Sequence, residues 1–224
     1  MSDAQNFPPP PVPPPLPGPG NGRVPPAWEQ PGAALQRFVE TARRVLTEPA
    51  SFYKAMSRQG GLGPPLVFAV VGIVVGSLGS FLTQLMMPFG GFGMAHDAGG
   101  FAAALVLVPI ISVIGLFIGS GILHVLLMLV AGSKQTYETS FRVLAYTVGS
   151  TSPLNIVPFV GGIIGGVWAL VVLILGSAEA HEVPQGRAAV AVLLPAVVCC
   201  GLGVLFGGAL LALIFGAAAA GLAS

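Results

Sequence analysis

Three histidines, eight carboxylates and two cysteines are the groups on which this chain of 224 residues could base chemistry. His96 and Asp97 stand side by side in a glycine-rich stretch, while His124, Glu138, Glu179, His181 and Glu182 fall near the ends of apolar runs. Neutral imidazole with carboxylate is a usual zinc donor set. Yet no His-Glu-x-x-His pattern or other fixed ligand spacing accompanies these residues. A serine nucleophile would be expected on a Gly-x-Ser-x-Gly elbow, and none is written here. No glycine cluster opens onto a phosphate-binding lysine. Cys199 and Cys200 are adjacent in an apolar run and lack spaced partners, so they read as packed thiols. The residues therefore predict no catalytic centre, no metal and no cofactor.

What they do predict is a polar network between helix ends. Glu138, Arg142 and Tyr146 follow one another at intervals of four, on one helical face, in the favourable Glu-to-Arg order. Gly161, Gly165, Trp168, Val172 and Glu179 form a stripe on a later apolar helix. If that helix runs past Gly176, its packing face ends in Glu179, at the depth of Arg142. The expected inner-face cluster is thus His124, Glu138, Arg142, Tyr146, Glu179 and His181. Glu179 is predicted to pair with Arg142, and His124 or Tyr146 to complete the network. A second set, Ser150, Thr151, Ser152 and Asn155, lies within the apolar run that follows Arg142. Intramembrane polar groups are costly unless paired, so these mark either a small transport cavity broken at Pro153 or a packing seam. The absence of any acidic or basic residue at mid-membrane, and of a clear internal repeat, favours the seam.

Composition sets the elements that position these residues. The chain is 54% hydrophobic and 8% charged, against about 25% charged in ordinary soluble domains. It reads as an all-α integral membrane protein. A net charge of +1 provides no basic stripe for nucleic acid. Eleven prolines occur in residues 8–26. Residues 1–30 are therefore expected to form a disordered, Pro-rich cytoplasmic tail of polyproline II character. No cleavable signal core is visible, so the first apolar run should drive insertion.

Residues 31–60 form the second region. Leu35, Phe38, Val39, Ala42, Val45 and Leu46 recur at helical spacing, with Arg37, Glu40, Arg43 and Arg44 on the other side. This is an amphipathic pre-membrane helix, interrupted at Pro49 and suited either to an anionic membrane surface or to the cytosolic ends of the spans. Residues 61–220 are expected to hold five transmembrane helices: about 66–87, 101–130, 139–156, 158–175 and 188–215. The second, with Pro109, exceeds the hydrocarbon thickness and should tilt, kink or protrude. The third is the most polar and should face its neighbours rather than lipid. With the N-terminus inside and the C-terminus outside, all nine Lys and Arg residues fall on the inner side, in accord with the positive-inside bias. A four-span alternative, with the third and fourth runs re-entrant, would keep the same sidedness but need a buried turn at lipid depth.

Residues 46–212 resemble the Yip1 domain family of five-span membrane proteins. The resemblance is carried by Glu48-Pro49-Ala50-Ser51-Phe52-Tyr53-Lys54-Ala55-Met56, Arg142-Val143-Leu144-Ala145-Tyr146 and Pro158-Phe159-Val160-Gly161. Trp168-Ala169-Leu170, Glu179-Ala180-His181 and Arg187-Ala188 with Pro195 follow in order. It implies an N-inside, C-outside protein that associates with itself or with other membrane proteins. Eukaryotic members act in vesicle traffic with Rab-type GTPases. Their Asp-Leu-Tyr-Gly-Pro stretch survives here only as Gly63-Pro64, and their Gly-Tyr pair as Ala145-Tyr146, which puts a GTPase partner in doubt. Seven Arg against two Lys, with abundant Ala, Gly and Val, suggests a bacterial source and an inner-membrane home. The expected function is a non-enzymatic membrane scaffold or adaptor whose partners are the lipid bilayer, second copies or other membrane proteins. The alternative is a permease, or a permease subunit, using the polar third span.

Overall fold

The computed structural model describes residues 23–86, 98–158, 160–198 and 201. The Pro-rich stretch up to Gly22, His96 and Asp97, Phe159, Cys199 and Cys200, and the fifth apolar run beyond Gly201 lie outside the described residues. A 3-10 turn, Ala27–Glu29, precedes α1 (Ala34–Thr47) and α2 (Pro49–Ala55). There follow α3 (Gly63–Met86), α4 (Ala98–Ala131), α5 (Tyr137–Thr151) with a 3-10 continuation Ser152–Ile156, and α6 (Gly161–His181). A last helix, α7 (Gln185–Val198), completes the described chain. One isolated parallel bridge joins Val24 to Met56. Among the described residues there is no strand.

Length and composition qualify three stretches to cross a membrane: Gly63–Thr83, Val106–Ala131 and Gly161–His181. Helix α5 is different. Its 15 residues rise about 22 Å, and the 3-10 continuation adds about 10 Å. It is the central element. Thr139–Val143, Ala145–Thr147 and Gly149–Thr151 are all buried, so its polar residues look inward on every side. Helices α3, α4 and α6 surround it, and α1 with α2 closes the remaining side. Ala69 and Ile73 of α3, Leu116 of α4, and Phe141 and Ala145 of α5 form one core. Val45, Phe52, Tyr53, Phe68, Tyr146 and Val172 form a second, which ties α1 and α2 to α3, α5 and α6. Leu123, Leu127, Ala178, Ala188 and Ala191 form a third, in which α7 packs on α4 and α6.

Helix α1 packs on the bundle along one face and leaves apolar residues of another uncovered. Thr41 and Val45 are buried against the bundle, whereas Leu35 and Val39 are exposed. Its far end reaches α6, where Trp168 Nε1 donates to the Leu46 carbonyl (3.1 Å). Glu40 and Arg43 pair with each other on its outer face (3.0 Å). Helix α4 is apolar along its length and exposes Ile110, Ile111, Ile114, Ile118 and Leu129, as a lipid-facing helix should.

Helices α3 and α5 run side by side in the same direction, and small residues set their separation. A methyl group at Gly72 would overlap the backbone of Gly149, one at Gly76 that of Ser152, and one at Gly79 that of Asn155 and Ile156. Gly149 answers from α5: a methyl there would come within 2.6 Å of the Phe68 ring. Small residues at such a seam let backbones approach until packing and polar contacts hold them together. Gly115, on α4, has nothing within 4 Å of its missing Cβ. The two sites should therefore part ways on the same substitution. Gly76→Ala is expected to lower thermal stability in detergent by about 1–3 kcal/mol through overpacking, and Gly115→Ala to stay within about 1 kcal/mol of wild type or improve on it. Equal melting temperatures for the two variants would refute close α3–α5 packing.

Candidate functional site

Arg142, six residues into α5, is wholly buried. A buried guanidinium is tolerable only where its donors all find oxygen. Nε donates to the Ser57 carbonyl (3.0 Å) and Nη1 to that of Gly61 (3.2 Å), both in the α2–α3 linker. Nη2 donates to Glu29 Oε1, forming an ion pair whose carboxylate side chain is only 10% exposed. Tyr146, one turn on, donates its hydroxyl to the same Oε1. The Arg142 guanidinium also lies over the Tyr146 ring, 5.9 Å from its centroid. Glu138, one turn before, accepts from the Gly61 amide (2.7 Å). Glu138 and Arg142 thus share a target rather than each other: they hold the two sides of Gly61. The linker comes this close because Gly60 has no side chain. A Cβ there, at φ +139°, would stand 3.3 Å from Arg142 Nη1.

The partner of Arg142 is therefore Glu29, not Glu179. Two things produce the correction. Along the C-terminal half of α6 the buried face steps by four, through Val172, Gly176 and Ala180. Glu179 falls on the shoulder of that face, half-buried, and makes no ion pair among the described residues. Second, the segment after Arg23 is not part of a free tail. Val24 N donates to the Ala55 carbonyl (2.7 Å) and accepts at its own carbonyl from Ser57 N (3.0 Å). Trp28 N donates to Thr41 Oγ1 (2.9 Å), and Trp28 Nε1 to the Pro64 carbonyl (2.8 Å). Arg37 holds the Trp28 and Gln30 carbonyls. Residues 23–30 are thus stitched onto α1, α2 and the start of α3, and any free tail ends before Arg23.

The expected six-residue cluster separates into two. Arg142 and Tyr146 belong with Glu29, and Glu138 adjoins them through Gly61. The histidines sit on another side of α5. Ser140 Oγ lies 3.1 Å from His124 Nδ1 and 3.2 Å from His181 Nε2, and His181 Nδ1 lies 2.7 Å from Ser133 Oγ. This chain joins α4, α5, α6 and the α4–α5 loop, and His181 is 2% exposed. No group of three or more metal-ligating side chains occurs among the described residues. Tyr53 of α2, which the sequence pattern places on an apolar face, anchors α2 to α5. Its hydroxyl donates to the Val143 carbonyl (3.2 Å) and lies 2.8 Å from Thr147 Oγ1. Burial pushes that phenol well above its ordinary pKa, so it stays a neutral donor. Its ring fills the space left by Gly176, where a Cβ would meet it at 2.7 Å.

The second expected set, Ser150, Thr151, Ser152 and Asn155, lies where α3 and α6 meet α5. Its hydroxyls do not bridge helices as a polar seam would suggest. Thr151 Oγ1 donates to the Thr147 carbonyl (2.9 Å) and Ser152 Oγ to that of Val148 (2.7 Å), both in their own helix. Ser150 is buried, and its hydroxyl has no partner among the described residues. Asn155 borders an open recess with Ser80, Thr83 and Gly162. What packs α5 against α3 is small size, not side-chain hydrogen bonding.

The buried pair sets a measurable cost. Glu29→Gln leaves Arg142 uncompensated and is expected to destabilise the protein by about 3–5 kcal/mol. Deleting residues 1–30 should do the same or more. Glu179→Gln should stay within about 0.5 kcal/mol. In a double-mutant cycle of thermal stability in detergent, Glu29→Gln with Arg142→Gln should cost less than the sum of the singles. Additive losses, or a larger loss at Glu179, would dissolve the pair.

No curated protein and no solved structure matches the chain. A profile of the Yip1 domain matches residues 43–208. The matched stretch runs from the end of α1 through every helix described above, including the membrane-length helices α3, α4 and α6. With those helices and well over half of its length covered, the chain is a multi-pass integral membrane protein that belongs to the Yip1 domain family.

Proposed function

We propose that this Yip1-type protein is a non-enzymatic membrane scaffold or adaptor, with five spans, its N-terminus inside and its C-terminus outside. Its partners are second copies of the chain or other membrane proteins, in the inner membrane of a bacterial cell. The observation that carries this reading is the way α5 is packed. A permease needs polar groups that face a path. Here the hydroxyls of Thr151 and Ser152 turn back to their own helix, and the α3–α5 seam beside them has no room for a methyl group. The polar helix serves to hold the bundle together.

Support for five spans comes from lengths and charges. Helix α5 with its 3-10 continuation rises about 32 Å, comparable to a hydrocarbon core of ~30 Å. Arg23, Arg37, Arg43, Arg44, Lys54, Arg58, Lys134, Arg142 and Arg187 are all the basic residues of the chain, and this topology puts every one of them on the inner side.

In a background lacking Cys199 and Cys200, Asp97→Cys should react with a membrane-impermeant maleimide on intact cells. Lys134→Cys and Gln185→Cys should react only after permeabilisation. Labelling of Lys134→Cys from outside would reject the topology. Purified protein in liposomes should pass no labelled solute faster than empty liposomes, and saturable uptake would reverse the choice in favour of a permease.

A further inference from the structure

A cavity of about 170 Å³ opens between the first turn of α5, the α4–α5 loop and the α2–α3 linker. Arg23, Arg58, Gln59, Gln135, Thr136 and Thr139 line it. Two guanidinium groups and no carboxylate are among its lining residues, and the amides and hydroxyls beside them can donate as well as accept. Several of them are unspent. Thr139 is wholly buried, and its Oγ1 has no partner among the described residues. Arg58 Nε is buried and likewise lacks one. Thr136 stands at the N-cap of α5 with a side chain that caps no amide, so the positive end of that helix adds to the same wall.

Unused buried donors are destabilising unless an acceptor visits them. The chain supplies one acceptor at the rim. The Glu182 carboxylate lies 3.0 Å from Arg23 Nη2 and 2.6 Å from Arg58 Nη2, and the two guanidinium groups hold its pKa below the usual range. The Arg58 contact is an ion pair too poorly aligned to count as a hydrogen bond. Glu182 itself is 62% exposed, while the side chains of Arg23 and Arg58 are 12% and 15% exposed. Two cations are thus sunk in the wall, and their one carboxylate counter-charge hangs over the mouth. Glu138, the other nearby acid, is engaged with Gly61.

We propose that this cavity binds a phosphate group, with Arg58, Arg23 and Thr139 as its donors and Glu182 as the intramolecular anion it displaces. A phosphate presents several acceptor oxygens and suits a site whose charged lining is two guanidinium groups, and guanidinium is the side chain best matched to it. The cavity lies beside the α4–α5 loop, just beyond the membrane-length stretch that ends at Ala131. With that stretch crossing the membrane as proposed above, this is the depth of phospholipid headgroups. The same chemistry would also accept a free phosphate, and the two sources can be told apart.

The test uses the full chain purified in a non-ionic detergent. Native mass spectrometry with added phosphatidylglycerol or phosphatidylcholine reads lipid retention. Melting curves with inorganic phosphate, against chloride at equal ionic strength, read the free anion. A headgroup ligand predicts selective, saturable retention of phosphatidylglycerol with little response to inorganic phosphate. A free-anion ligand predicts stabilisation by inorganic phosphate without lipid selectivity. In either case Arg58→Gln and Thr139→Val should each weaken binding, the former by about tenfold or more. Glu182→Gln, at an exposed position, should tighten it about two- to fivefold. Glu48→Gln, an exposed acid at the α1–α2 junction, should change nothing. The proposal fails if neither probe binds above its control, or if binding survives both Arg58→Gln and Thr139→Val. It also fails if Glu182→Gln and Glu48→Gln raise affinity alike, since the effect would then be long-range charge and not this cavity.

Discussion

A guanidinium without solvent must be surrounded by oxygen, and that requirement at Arg142 organises the end of the bundle where residues 23–30, the α2–α3 linker and the start of α5 meet. One oxygen comes from Ser57 and one from Gly61, so the α2–α3 linker has to pass over α5 at a fixed height. The third comes from Glu29, so the segment ahead of α1 has to reach back to the same point. Each of these is far from Arg142 in sequence. Other contacts hold the same segments, Val24 with Ser57 and Glu138 with Gly61 among them, and the buried charge adds the demand that all three meet at one point. Replacing an ion pair of this kind by apolar groups is often neutral or favourable. Its role is better described as fixing register: Arg142 accepts one arrangement of three segments and penalises the others.

The rest of α5 obeys the opposite rule. Between Gly149 and Ile156 the helix and its 3-10 continuation carry no charge, and two of their four polar side chains are satisfied within the helix. With the hydroxyls of Thr151 and Ser152 turned back to the preceding turn, the surface offered to α3 is close to bare backbone. Gly72, Gly76 and Gly79 offer bare backbone in return. Association of helices in lipid lacks the hydrophobic driving force available in water, so close contact area has to replace it. One helix thus uses two devices: a charge network near its N-terminal end and small-residue packing toward its C-terminal end.

Much of this is legible in the sequence. The apolar runs, the polarity of the third and the small-residue ridge Gly72, Gly76 and Gly79 follow from local composition and period, as does the amphipathic character of α1. The fourth run, expected to end near residue 175, continues as helix to His181. What period cannot supply is the partner of Arg142. Glu179 is suggested by a stripe from Gly161 to Val172 extended by seven residues, whereas the buried face advances by four to Gly176 and Ala180. Glu29 is hidden by its neighbours, since eleven prolines before it make the whole segment resemble one continuous spacer. A signal does exist. Trp28-Glu29 breaks the proline run with a large aromatic residue and the only acid between Asp3 and Glu40. A spacer has no use for an aromatic ring and a lone carboxylate, and here both are consumed by contacts with the fold. The hydrogen-bonding direction of Thr151 and Ser152 is beyond sequence altogether, because a hydroxyl can satisfy itself locally or across a seam at similar cost.

The linker from Ser57 to Gly61 connects the two inner features. Its carbonyls at Ser57 and Gly61 face Arg142, while Arg58 and Gln59 line the donor-rich cavity on its other side. Ser57 Oγ donates to the Gln59 carbonyl (2.6 Å), which stiffens the turn between them. Arg23 adds a second tie: its Nη1 holds the Tyr53 carbonyl (3.2 Å) while Nη2 reaches Glu182. A ligand drawing Arg58 and Arg23 inward would therefore act on the same backbone that Arg142 fixes. Coupling of this kind is reciprocal. Whatever free energy a bound anion contributes to ordering the linker, the Glu29–Arg142 pair contributes to the affinity of the cavity. The N-terminal segment, the buried charge and the cavity would then form one cooperative unit, with five linker residues as the shared part.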